Sequence, residues 1–306
     1  MPFPKTNPPS PGPDQEPKRK PPWLRVPLPG RGQFPGTSKI LRELGLHTVC
    51  QEARCPNISE CWGRGTATFM ILGDTCTRRC GFCATKTGRP GPPEPDEPER
   101  VAEAVKKMGI RFAVITSVTR DDLPDAGAGR FARVIRAVKE TGAMVEVLVP
   151  DFSGDVGRIK VVLDTGPDVF AHNTETTRRL TPIVRDGRAD YGTSLRVLEI
   201  AAGRGNSIVK SGFMVGLGET DDEVHETLRD IRAAGAVAIT IGQYLQPTRD
   251  HLAVHRFVEP ERFALYARWA NELGYEHIAS GPLVRSSYKA EEIVTGREFE
   301  ADPRTI

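Results

Sequence analysis

Cys76, Cys80 and Cys83 form a C-x3-C-x2-C run, and Cys50, Cys55 and Cys61 form a C-x4-C-x5-C run just upstream of it. Thiolates are the usual ligands of iron–sulfur clusters, and a cubane normally takes four. Each triplet supplies three with no adjacent fourth. The spacing therefore suggests two clusters, each with one iron open to a different ligand. Three disulfides are formally possible, but 6 cysteines in 306 residues is far below the density of a disulfide scaffold. The N-terminus is polar and Pro-rich and shows no apolar leader. Structural zinc is the stronger alternative, because Cys-x2-Cys pairs commonly bind it. Zinc sites pair two such knuckles, however, and neither triplet has a fourth Cys or a neighbouring His. Of His47, His172, His225, His251, His255 and His277, His47 alone lies close to a triplet.

The elements that must position these thiols begin at Thr66. Short apolar runs at Thr66–Leu72, Phe112–Thr116, Met144–Val149, Val169–His172, Ile208–Met214 and Val237–Ile241 read as buried strands. Amphipathic stretches at Pro98–Met108, Arg130–Thr141, Thr193–Ala202 and Asp222–Ala234 read as helices between them. Alternation of this kind predicts a parallel sheet with right-handed crossovers, an α/β architecture. In parallel α/β barrels the chemistry sits at the C-terminal strand ends. The polar candidates fall there. Cys76–Cys83 follow the first strand, Thr116 and Ser117 end the second, His172 and Asn173 the fourth and Met214 the fifth, while Gln243 and Tyr244 follow the sixth. Residues 1–36 carry 12 of the 26 prolines and little hydrophobic periodicity, which predicts an unfolded or surface-draped arm. A short helix is expected from Ser38 to Leu46. Net charge is +2 and no apolar run approaches the length of a spanning helix, so neither a nucleic-acid nor a membrane partner is implied. Metal-competent thiols favour a reducing compartment, the cytoplasm.

The C-x3-C-x2-C run with Phe82 before its last cysteine resembles the signature of the radical S-adenosylmethionine (SAM) superfamily. From about residue 38 the chain resembles one family within it, the lipoyl synthases. The resemblance is carried by Thr48-Val-Cys-Gln-Glu-Ala-Arg-Cys-Pro-Asn-Ile-Ser-Glu-Cys-Trp62, Thr66-Ala-Thr-Phe-Met-Ile-Leu-Gly-Asp74 and Thr116-Ser-Val-Thr-Arg-Asp-Asp-Leu-Pro-Asp125. It continues through His172-Asn-Thr-Glu-Thr176, Lys210-Ser-Gly-Phe-Met-Val-Gly-Leu-Gly-Glu-Thr220, Ile241-Gly-Gln-Tyr-Leu-Gln-Pro-Thr248 and Gly281-Pro-Leu-Val-Arg-Ser-Ser-Tyr288. The first cysteine triplet and the Arg-Ser-Ser-Tyr run discriminate this family from others in the superfamily.

The resemblance implies a partial (β/α)6 TIM-type barrel over residues 66–280. An auxiliary-cluster segment at 37–65 and a C-terminal segment at 281–306 would flank it, the Pro-rich arm at 1–36 coming first. It implies two 4Fe–4S clusters and SAM. Cys76, Cys80 and Cys83 would hold one cluster, whose fourth iron SAM chelates. Cys50, Cys55 and Cys61 would hold the auxiliary cluster with Ser287 as its fourth ligand, Ser286 being the alternative that spacing cannot separate. An alkoxide is a harder ligand for iron than a thiolate, so that corner is the weak one. This suits a family in which the auxiliary cluster donates sulfur at carbons 6 and 8 of a protein-bound octanoyl-lysine.

Phe82, Thr116, Ser117, Asn173, Glu175, Arg185 and Met214 are the candidate SAM contacts. Against this, Arg185 reads equally as a surface residue paired with Asp186 or Asp190, and His172 as a hydrogen-bonded core residue. Gly212, Gly216 and Gly218 fit either a backbone approach to a ligand or tight packing. Asp121 and Asp122 are expected to hold the loop after the second strand. Implied partners are octanoylated lipoyl-carrier domains (2-oxoacid dehydrogenase acyltransferase subunits and the glycine-cleavage carrier protein), an electron donor and an iron–sulfur cluster carrier. Another radical SAM sulfur-inserting or methylthiolating enzyme, or a zinc-binding interaction module, are the alternatives.

Overall fold

A computed structural model describes residues 19–25, 35–52, 55, 57–63, 66–288 and 290–295. Most of the arm expected over residues 1–36 lies outside the described residues. Within it, Pro22–Leu24 makes a 3-10 turn with Leu24 buried. The first helix runs Pro35–Glu43, earlier than the expected 38–46.

Seven strands form a parallel sheet in chain order: β1 Thr66–Ile71, β2 Phe112–Ser117, β3 Met144–Leu148, β4 Val169–Ala171, β5 Ile208–Val215, β6 Ala238–Gln243 and β7 His277–Gly281. All six expected strands are present. β7 extends the expected (β/α)6 arrangement. Its sequence, His-Ile-Ala-Ser-Gly, has no apolar run that would signal a strand, and pairing along β6 is what holds it extended. Six helices cross between successive strands: α1 Glu97–Met108, α2 Ala128–Lys139, α3 Val156–Leu163, α4 Tyr191–Arg204, α5 Asp221–Ala233 and α6 Pro260–Glu272. α3 and α6 were not legible in the sequence pattern. Local chemistry sets the helix ends. Asp190 accepts from Thr193 N at the start of α4, Thr220 and Glu223 form a capping box on α5, and Gly109 ends α1 in the left-handed region.

Alternate strand residues divide between two cores. Ala113, Ile115, Val145, Val147, Phe170 and Val209 pack outward against the helices. Phe112, Val114 and Val169 instead form an inner cluster, with Met144 and Ile208 packed against it. The same inward parity carries Lys210 and Glu146, both 1% exposed, whose ion pair of 2.8 Å spans β5 and β3. Burial pushes the Glu146 carboxyl up, and Lys210 offsets that.

The barrel is open, because β1 and β7 are the ends of the parallel run and do not pair. His47–Thr48 runs antiparallel along β1 and covers its edge. The chain after β7 covers the rest. Asn57 Nδ2 donates to Leu283 O at 2.8 Å, and Thr66 Oγ1 donates to Glu291 Oε2 at 2.9 Å. Ala290 sits in the inner cluster, with Ile293 and Val294 packed on it, so the C-terminal segment plugs the N-terminal mouth.

Candidate active site

The second cysteine triplet lies on the loop after β1, at the C-terminal rim. This loop is short of apolar residues, and ion pairs hold it. The Arg78 guanidinium is buried and donates to Asp121 at 2.8 Å and to Asp151 at 2.9 Å. Arg188 donates to Thr77 O, Asp121 and Asp186, while Arg79 N donates to Asp186 Oδ2 at 2.7 Å. Burial would raise the Asp186 carboxyl, but hydrogen bonds from Arg188 and from backbone N–H groups bring it to about 2. Gly81 N donates to Val184 O at 2.9 Å, and His251 Nε2 donates to Cys83 O at 2.9 Å. The loops after β2, β3, β4 and β6 thus all grip the cysteine loop. Asp122 accepts from Arg120 within the loop after β2, and Asp121 ties that loop to the cysteine loop by accepting from Thr77 and Arg78.

The three sulfurs already accept hydrogen bonds. Cys76 Sγ accepts from Arg78 N at 3.4 Å and Thr119 N at 3.3 Å, and Cys80 Sγ from Asp186 N at 3.4 Å. Cys83 accepts from the N–H and hydroxyl of Thr85. Burial pushes the Cys80 thiol up to about 12 and raises Cys83 as well. In the free protein Cys80 and Cys83 therefore hold their protons, and metal loading must displace them.

The candidate SAM contacts gather beside this triplet. Glu175 has a left-handed backbone, φ 68°, and bridges to Phe213 on β5. Burial raises its carboxyl, with Arg185 and a hydrogen bond from Asn173 working the other way. Glu175 and Arg185 both act electrostatically on Cys80. Arg185 pairs with neither Asp186 nor Asp190. Its Nη1 donates to Ser194 Oγ at 2.7 Å and its Nε is buried without a partner among the described residues. Ser117 Oγ is likewise buried and unpartnered, whereas the Thr116 hydroxyl donates to Leu148 O at 2.8 Å. Phe82 and Met214 are half-buried. His172 is a core residue. Nδ1 donates to Val149 O at 2.8 Å and Nε2 lies 3.1 Å from Ser194 Oγ. Burial, then Arg185, lowers its pKa to about 4.

Gly212 and Gly216 serve packing. A Cβ on Gly212 would meet Thr240 Oγ1 at 2.3 Å, and one on Gly216 would meet Gln243 Nε2 at 2.1 Å. Gly218 has φ 108° in the turn that Glu219 clamps by accepting from Gly216 N and Leu217 N.

The first triplet lines a separate small pocket. Cys50, Cys55 and Cys61 line it together with Thr66 and Thr68 of β1 and with Arg285, Ser287 and Tyr288. Ser287 lines this pocket and Ser286 is not among its lining residues. Burial raises the Cys55 thiol, while Asn57 N–H and the Arg285 charge oppose it. Three sulfurs and a cation, with the hydroxyls of Thr66, Thr68, Ser287 and Tyr288 and no carboxylate among the described lining residues, suit a soft anionic metal cluster far better than a hard cation. Arg78, Asp151, Asp186, His251 and Arg285 are the residues sequence reasoning gave no role. Only Arg78 and Arg285 carried a signal, by lying inside the two motifs.

Comparison with known proteins agrees with this geometry. The model of the radical SAM superfamily matches residues 70–231, and that of the N-terminal domain of lipoyl synthase matches residues 10–55. A lipoyl synthase of Thermus thermophilus is 54% identical over 280 residues, covering 90% of this chain and 87% of that protein. The chain belongs to the lipoyl synthase family. A lipoyl synthase of Pyrobaculum calidifontis is 55% identical over 278 residues, covering 89% and 95%. Among solved structures, methylornithine synthase aligns with a TM-score of 0.53 at 14% identity over 88% of each chain, a likeness of fold. Membership makes this a radical SAM enzyme that works with SAM and two 4Fe–4S clusters. Among the described residues no helix is long and apolar enough to cross a membrane.

Proposed function

We propose that this lipoyl synthase inserts sulfur at carbons 6 and 8 of an octanoyl-lysine, with Cys76, Cys80 and Cys83 at the SAM-binding cluster and Cys50, Cys55, Cys61 and Ser287 at the auxiliary one. The observation that carries this reading is the pocket that joins the first triplet to Ser287 from the opposite end of the chain. When bound, the clusters and SAM supply the electron, the organic radical and the sulfur. The chain's residues do the rest. Arg78, Asp121 and Asp151 fix the cysteine loop. Asn173, Glu175, Ser117 and Arg185 offer polar atoms for the amino-acid and ribose parts of SAM, with Phe82 and Met214 as apolar neighbours and Thr116 holding strand β2 to β3. Ser287 Oγ gives up a proton to become a ligand and takes one back to leave. The inner cluster and the C-terminal plug exclude water from below.

The substrate would arrive on octanoylated lipoyl-carrier domains, those of 2-oxoacid dehydrogenases and the glycine-cleavage system. An electron donor and a cluster carrier complete the cycle. Anaerobic iron, sulfide and zinc analysis tests the reading. About eight irons are expected, falling to about four in Cys76→Ala/Cys80→Ala/Cys83→Ala and about four in Cys50→Ala/Cys55→Ala/Cys61→Ala. Mass spectrometry of an octanoylated carrier should show sulfur insertion by wild type alone. Zinc in place of iron would overturn it.

A further inference from the structure

Arg285 is the cation among the described residues lining the auxiliary pocket, and no carboxylate is among them. A guanidinium carries five N–H donors. Among the described residues its hydrogen bond is Nη1 to Val284 O, at 2.7 Å, so most of that donor fork is uncommitted. The seat is built for it. A Cβ on Gly242 of β6 would lie 2.3 Å from Val284 O and 3.6 Å from Arg285 Nη1, so only a glycine lets this backbone lie against the strand. A half-buried guanidinium with neither a counter-ion nor satisfied donors among the described residues is costly, and three cysteines and a serine line the same pocket. Ligated thiolates and an alkoxide would bring the missing negative charge. The other triplet receives backbone N–H donors from Arg78, Thr119 and Asp186. Arg285 brings a full charge to the first, where it acts on Cys55.

We propose that Arg285 is the charge-balancing and positioning residue of the auxiliary site: its free N–H donors face the sulfur held there, raise the reduction potential of that centre and slow the loss of iron from it. This rests on reading the pocket as the auxiliary cluster site. Hydrogen bonds to sulfur and local net charge are what set cluster potentials, and charge-assisted bonds are the strong ones. A nearby cation favours the more negative, reduced state.

The test uses Arg285→Lys, Arg285→Gln and Arg285→Met, each in wild type and in the Cys76→Ala/Cys80→Ala/Cys83→Ala background, where only auxiliary iron remains. EPR-monitored titration reads the potential, and transfer of iron to a chelator reads lability. Arg285→Gln and Arg285→Met should lower the potential and release auxiliary iron about tenfold faster. Arg285→Lys should stay near wild type. Iron at the second triplet serves as the folding control. Loading failure in Gln and Met but not in Lys supports the proposal equally. Wild-type potential and release in Arg285→Met, or a Lys variant that behaves like Met, would overturn it. If Cys50→Ala/Cys55→Ala/Cys61→Ala keeps all its iron, the underlying site assignment fails instead.

Discussion

Ser286 and Ser287 are chemically identical neighbours, and only their surroundings distinguish them. Ser287 opens on the pocket of the first triplet. Ser287→Ala should abolish sulfur insertion, at least about a hundredfold, and make auxiliary iron labile, while Ser286→Ala should retain activity within a few-fold. A carrier assay with iron counts on both variants checks this. His172 supplies a second prediction at this scale. Its pKa falls from 6.5 to about 4 in the folded chain, so the unfolded chain binds the proton first. Its contribution to stability is full above pH 6.5 and is lost as pH falls towards about 4. The loss should be no more than about 3 kcal/mol. Urea unfolding across that range should show a shallower pH slope in His172→Asn, which can still donate to Val149 O.

The cysteine loop is an element without a hydrophobic anchor, and the Arg78 bridge to Asp121 and Asp151 takes that place. The Asp151 carboxyl is pushed up by burial and pulled lower still by Arg78, ending below its ordinary 3.8. Its stabilising effect is therefore present above pH 3.8 and is lost on further acidification. Asp151→Asn leaves a buried guanidinium half-paired. It should cost about 3 kcal/mol in chemical denaturation and reduce iron loading at Cys76, Cys80 and Cys83 before it affects the first triplet. Equal loss at both triplets would show that Asp151 supports the barrel in general.

At the scale of the molecule, the open side of the barrel couples the two ends of the chain. Leu283, Val284, Tyr288 and Glu291 meet Asn57, Cys61 and Thr66 across the gap between β1 and β7. The same segment both plugs the barrel and presents Ser287. Ala290 is 0% exposed, against Phe112, Val114 and Val169. Ala290→Glu would bury an unpaired carboxyl there, costing about 3 kcal/mol. Metal analysis should then find the auxiliary iron lost first, taking the total from about eight towards about four.

The sequence by itself determined the two triplets, the α/β alternation, six of the seven parallel strands and the rim on which the second triplet sits. It could do so because ligand spacing and hydrophobic periodicity are local properties. β7 was illegible because its five residues are held extended by β6 rather than by their own propensity. The SAM-side polar group was legible as strand ends, but not Arg185's turn away from Asp186 and Asp190 towards Ser194 and Glu175. Arg78's grip on Asp151, the seat of Arg285 on Gly242 and the difference between Ser286 and Ser287 belong to the tertiary structure alone. Each depends on residues far apart in the chain meeting in space, and a local pattern carries no record of that distance.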